Sequence, residues 1–194
     1  MEILKDEALV LKRKNVNESN VSISLFTKKY GKINAIAYGV RSTNKKEKIS
    51  LNPISYIECE LKKTNDNYIL MNYNMKIGYN KIYSNIDKLQ MAMYVVYTLN
   101  KILTYSVVEH LLYDRVEKVL NYLENIDNSL LKSENFNDKF LNSYLKKVML
   151  DIGIYDNSIN FKTLKNIEKY INDYLGVDID YTQIMIGVGR NANK

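Results

Sequence analysis

The chain has 194 residues, 46% apolar and 26% charged, with only 7 Gly and 1 Pro. This composition fits one ordinary globular domain or two small ones, and it argues against long coil linkers. The net charge of +6 lies wholly in residues 1–80, which hold 14 Lys/Arg against 8 Asp/Glu, while residues 81–194 hold 14 of each. An excess of cations in one part and neutrality in the rest suggests a polyanion-binding N-terminal part. Frequent Lys, Tyr, Asn and Ile, as an AT-rich genome would produce, is the plainer source of the same charge.

In chain order, Ala8–Lys14 reads as a first strand with an apolar start and a cationic end. Val21–Thr27 alternates, with Val21, Ile23 and Leu25 on one face and Ser22, Ser24 and Phe26 on the other. Tyr30-Gly31-Lys32 is a turn, because Gly takes positive φ at no steric cost. Ile33–Val40 is the third strand. A basic arm follows from Arg41 through Lys45, Lys46 and Lys48. Ile54–Lys62 and Tyr68–Met75 read as the fourth and fifth strands. Five short strands in about 75 residues predict a small antiparallel barrel, with the OB-fold as the nearest standard architecture. Pattern alone leaves an SH3-like barrel or an open meander in play. Such barrels hold single strands by pairing a cationic groove with aromatic platforms. The candidate phosphate contacts are Lys28, Lys29, Lys32, Arg41, Lys45 and Lys46. The candidate platforms are Phe26, Tyr30, Tyr38 and Tyr56, for each of which a core or barrel-rim aromatic is the plainer reading.

From Ile86 the apolar period changes to three and four. The spacing predicts helices over about 85–105, 107–126 and 137–153, the last capped by Asn137-Asp138 and stopped by Gly153. A fourth runs from Lys162 or Thr163 to Tyr174, with Gly176 after it, and a short one spans about 180–186. The expected fold class is α+β, with a barrel domain over 1–80 and a helical domain over 81–194. Arg115, Lys118, Lys146 and Lys147 are the helix-surface cations suited to an acidic peptide, or are simply solvated.

Catalytic patterns are sparse. His110 is the single histidine and Cys59 the single cysteine, which excludes internal disulfides and an all-cysteine zinc site within one chain. Gly187-Val188-Gly189-Arg190 has neither the strand nor the helix of a phosphate loop beside it. No nucleophile elbow occurs. The acidic start lacks a signal peptide's apolar core, and no stretch reaches the roughly 18 apolar residues of a membrane helix. A cytoplasmic, non-enzymatic binding protein without cofactor, metal or membrane partner is the expectation. A protein–protein adaptor and an RNA-binding factor are the other readings.

The opening from Glu7 to Lys46 resembles the bacterial RecO recombination mediator family. Glu18-Ser19, Leu25-Phe26-Thr27, Gly31-Lys32 and Gly39-x-Arg41 carry the likeness. The strand entered after Pro53 and the helices around Tyr94–Leu103, Leu145–Tyr155 and Ile167–Ile179 are similar to later family pieces. The resemblance implies an N-terminal OB domain, a helical C-terminal domain, and a nucleoid-associated role in DNA repair. It implies binding to single- and double-stranded DNA, strand annealing, contact with RecR, and docking of the acidic C-terminal tail of single-stranded DNA-binding protein. By position it assigns DNA contacts to Lys32 and Arg41, with Lys28, Lys29, Lys45 and Lys46 beside them. The four-cysteine zinc module of many members is missing here, since Asp156–Asn160 holds no cysteine.

Overall fold

The structure is a computed structural model and describes residues 3–40, 49–65 and 67–184. The chain divides into two compact units: Met1–Tyr79 with Leu103–Tyr113, and Asn80–Ile102 with Asp114–Lys194.

The first unit holds β1 (Ile3–Asn15), β2 (Val21–Thr27), β3 (Gly31–Ala37), β4 (Tyr56–Lys63) and β5 (Tyr68–Ile77). Strand pairing follows the order β1-β2-β3-β5-β4 and closes on itself as a barrel. Four neighbouring pairs are antiparallel, but β3 and β5 run parallel, joined at Ala35↔Tyr68 and Ile36↔Ile69. The antiparallel OB-fold barrel expected from sequence is therefore corrected to a mixed five-stranded sheet. The reason is parity: directions alternate all the way round a ring only when the strand number is even. Five strands force one parallel pair, whose slanted bonds are slightly weaker per residue. That seam spans two residue pairs, so β5 does not pair with β3 over Gly31–Asn34.

Inside the sheet, Val10, Val21, Ile23, Leu25, Ile33, Ala35, Ile57 and Leu61 form one buried cluster. Their period of two follows from the pleat. A bulge in β1 between Val10 and Lys12 changes the phase. Val10 pairs with Leu25 toward the core, whereas Lys12 and Lys14 pair with Ser24 and Ser22. Without the extra residue, Lys12 would repeat the inward phase of Val10.

The second unit is helical: α1 (Asn80–Tyr83), α2 (Ile86–Ile102), α3 (His110–Asn125), α4 (Asn128–Leu131), α5 (Phe136–Asp151) and α6 (Leu164–Leu175). The start of α3, through Tyr113, belongs to the first unit. Buried Met91, Ala92, Val95, Val96 and Leu99 of α2 share the helical core with Leu141, Leu145 and Val148 of α5 and with Ile167 and Ile171 of α6. Each such aliphatic side chain contributes roughly 1.5–3 kcal/mol on burial. Thr163 caps α6 by accepting from the Asn166 N–H, and Gly176 ends it at φ 65°. The cap expected at Asn137-Asp138 lies earlier, at Asn135, which takes a left-handed conformation without a side-chain cap bond. Leu111, expected on the apolar face of α3, is exposed. Among the described residues, no helix is long and apolar enough to cross a membrane.

Candidate nucleic-acid interface

The outer face of β1, β2 and β3 is polar in rows. Lys12, Ser24 and Asn34 lie in one register row, and Lys14, Ser22 and Ile36 in the next. Lys12 and Lys14 are exposed, whereas Ser24 is buried. Tyr38 lies two residues beyond Ile36 and is 59% exposed. At the same end, Asn17 accepts from the Ser19 and Asn20 N–H groups and shapes the β1–β2 loop, and Asn20 accepts from the Gly39 N–H. Two open lysines, short hydroxyl and amide side chains and an open ring on one sheet face match the features that hold a nucleic-acid backbone.

Lys32 belongs to the same face but is only 5% exposed. The segment that follows α2 covers it. Tyr105 makes an isolated parallel bridge to Lys32, and the Ser106 N–H donates to the Lys32 carbonyl at 2.9 Å. This contact falls on the stretch of β3 that β5 leaves unpaired. The Lys32 Nζ donates to the Leu103 carbonyl at 3.4 Å and lies 4.4 Å from the centroid of the Tyr105 ring. Asn34 donates to the Tyr105 hydroxyl at 3.0 Å. Burial lowers the pKa of Lys32, and the nearby charge of Lys12 adds to the effect.

The remaining predicted residues are distributed differently. Lys28 and Lys29 are exposed in the β2–β3 turn. Their backbones are tied to β1: the Lys28 N–H donates to the Glu7 carbonyl and the Lys29 N–H to Asp6 Oδ2 at 2.8 Å. Both line a pocket of about 860 Å³ with Lys5, Asp6, Glu7, Glu58 and Glu60. Its field is mixed, so these two lysines share their surroundings with carboxylates. Phe26 is fully buried, 5.2 Å from Tyr113 edge to face, and Tyr56 is buried against Tyr79 and Tyr113. Neither ring has a surface for a base, which corrects both as platforms. Tyr30 is half-buried and packs on the barrel core. Arg41, Lys45 and Lys46, and the Gly187–Arg190 stretch, lie outside the described residues. Cys59 is buried, donates to the Asp6 carbonyl and has its thiol pushed up to about 12 by burial. Among the described residues no group of three His, Cys, Asp or Glu side chains is placed to hold a metal.

In the helical unit, α3 and α5 border a groove of about 490 Å³. Tyr122 and Phe140 stack at 5.9 Å, and Phe136 and Phe140 at 6.2 Å. Lys118, Lys139 and Lys147 line the groove beside these rings, as does Arg115. Arg115 is clamped by Asp151, donating from Nε to Oδ2 and from Nη2 to Oδ1. Of the predicted partner-facing cations, Arg115, Lys118 and Lys147 come together, whereas Lys146 does not line the groove.

Residues 1–74, which contain the lysine-bearing sheet face, match the family model described as Recombination protein O N terminal. The N-terminal part of the chain is RecO-like. Among its relatives, the DNA repair protein RecO of Thermoanaerobacter sp. (strain X514) is 30% identical over 103 residues, 53% of this chain and 42% of that protein. That of Caldanaerobacter subterraneus subsp. tengcongensis is 25% identical over 155 residues, 79% of this chain and 59% of the relative. The Alkaliphilus metalliredigens protein of the same name is 31% identical over 94 residues, 48% and 38% of the two chains. The chain thus spans about half the length of the curated relatives it matches. The family-model match ends before the helical unit that contains the α3–α5 groove.

Sequence reasoning missed Lys12, Lys14 and Tyr105 as members of this sheet face. The lysines were visible as the cationic end of β1, but the bulge that turns them outward has no residue signature. Tyr105 follows an apolar period that continues the preceding helix pattern through Leu103. Lys139 of the groove was legible as a cation within the predicted third helix.

Proposed function

We propose that this chain is a RecO-type, non-enzymatic DNA-binding mediator of recombination and repair. The observation that carries the reading is the outer face of β1–β3, where Lys12 and Lys14 stand open beside Ser22, Asn34 and the exposed Tyr38. On this reading, the lysines neutralise phosphates while the open ring takes unstacked bases. Arg41, Lys45 and Lys46 contact further phosphates, as do Lys28 and Lys29 at the β2–β3 turn, and Lys32 supports the face from beneath. Residues 1–80 hold single- and double-stranded DNA and bring complementary strands together. Residues 81–194 recruit RecR and the acidic tail of single-stranded DNA-binding protein, so that recombinase is loaded onto coated strands. The groove between α3 and α5 suits that tail, because its stacked rings offer an apolar floor and Lys118, Lys139 and Lys147 offer counter-charges.

A salt titration of single-strand binding tests the reading. Contact with about five phosphates gives a log–log slope near −3.5, from roughly −0.7 per phosphate. A salt-independent affinity refutes it. The groove by itself favours a second reading, a protein–protein adaptor whose N-terminal charge serves solubility. An adaptor of that kind binds the acidic tail with no measurable affinity for DNA.

A further inference from the structure

We infer that Tyr105 is a base-stacking platform of the DNA-binding face, supplied by the segment between α2 and α3 and held in place by Lys32 and Asn34. The inference rests on the DNA-binding reading and adds to it a residue outside the strands. Tyr105 is 51% exposed, although its backbone is bridged and its side chain makes two further contacts. Its backbone is bridged to Lys32 on the stretch of β3 that β5 leaves unpaired. Its hydroxyl accepts from Asn34 at 3.0 Å. The ammonium of Lys32 lies 4.4 Å from its centroid.

A ring fixed in this way has lost most of its rotamer freedom before any ligand arrives, so stacking costs little further ordering. The cation beneath the ring draws on its π density, which favours an electron-rich base on the open side. Asn34 ties the ring to the row of Lys12 and Ser24, so a base on Tyr105 has its phosphate within the reach of an exposed lysine. Lys32 thereby acts through the ring rather than on a phosphate, which explains why a nominal DNA contact is buried.

The chain contains no tryptophan, so Tyr105→Trp introduces a single reporter at the site. Oligothymidylate of about 20 nucleotides is titrated against the full chain at about 50 mM salt, with labelled-strand anisotropy reporting binding. The expected result is quenching of the Trp emission in step with anisotropy. Tyr105→Leu weakens binding about 5- to 150-fold without changing the salt slope, because no phosphate contact is lost. Tyr105→Phe, which keeps the ring and loses only the Asn34 bond, retains most of the affinity that Tyr105→Leu loses. Unquenched emission at saturation, or equal binding by Tyr105→Leu, overturns the platform while leaving the DNA-binding reading in place. Tighter binding by Tyr105→Leu also overturns it, and marks the ring as a cover over Lys32. If the parent itself fails to bind the strand, the DNA-binding reading falls and the platform falls with it.

Discussion

Glu168 is a buried carboxylate in the helical unit and shows how one residue sets a pH response. Its Oε1 accepts from the Tyr94 hydroxyl at 2.6 Å and from the Tyr181 N–H at 2.8 Å, which fastens the helical residues 181–184 to α6. Burial nevertheless raises its pKa above the usual carboxylate value, outweighing those two hydrogen bonds. An acid with a raised folded pKa binds its proton more tightly in the native state than in the unfolded chain. Stability from this group is therefore full below the unfolded pKa and falls as pH rises through the folded one. Glu168→Gln keeps an acceptor oxygen toward Tyr94 and Tyr181 but removes the titration. The melting temperature of the variant should gain on that of the parent as pH rises from about 4.5 toward neutrality. A difference that stays constant across that range would show that burial of Glu168 does not govern its charge.

The β2–β3 turn has a function beyond reversing the chain. Gly31 sits at φ 69°, and a Cβ there would collide with the backbone carbonyl of Val107. The turn thus makes room for the same segment that places Tyr105 on β3. Gly31→Ala meets both the left-handed penalty of roughly 1–2 kcal/mol and a backbone clash that no rotamer relieves. Urea denaturation should show a loss of about 2 kcal/mol or more, and a loss within about 0.5 kcal/mol would mean that Val107 yields freely. Elements like this mark the limit of what the sequence discloses. β2 and β3 were legible because Val21, Ile23, Leu25 and then Ile33, Ala35 and Ala37 alternate with side chains of the other face. The helix stop at Gly176 was legible from local chemistry, as was the start at Thr163. The break after Ile102 was not, because Leu103 continues the apolar period. The decisive contacts of the next residues are with Lys32, some seventy positions earlier in the chain. Phe26 was misread for a similar reason: alternation places it on the outer face, but only the fold brings Tyr113 over it. The parallel β3–β5 seam follows from closing an odd number of strands, which no single strand records.

At the scale of the whole chain, the charge asymmetry acquires a division of labour. The unit with the cationic excess presents open lysines on a polar sheet face, and the neutral unit presents an apolar groove with local cations. The two surfaces share no residue, so each should be removable without the other. Lys12→Ala with Lys14→Ala removes up to two phosphate contacts and should bring the single-strand salt slope closer to zero by about 1.4, at roughly 0.7 per contact. The same pair should leave affinity for a synthetic acidic tail peptide unchanged. Phe140→Ala takes the middle ring out of the Tyr122–Phe140–Phe136 stack. Loss of an aromatic anchor that a bound peptide would cover typically exceeds about 1 kcal/mol, or about fivefold in peptide affinity. The DNA slope should not move in that variant. Anisotropy with labelled strand and labelled peptide, read on the parent, both variants and their combination, checks all four expectations. If the combination departs from the sum of its parts for either ligand, the two surfaces are energetically coupled rather than independent.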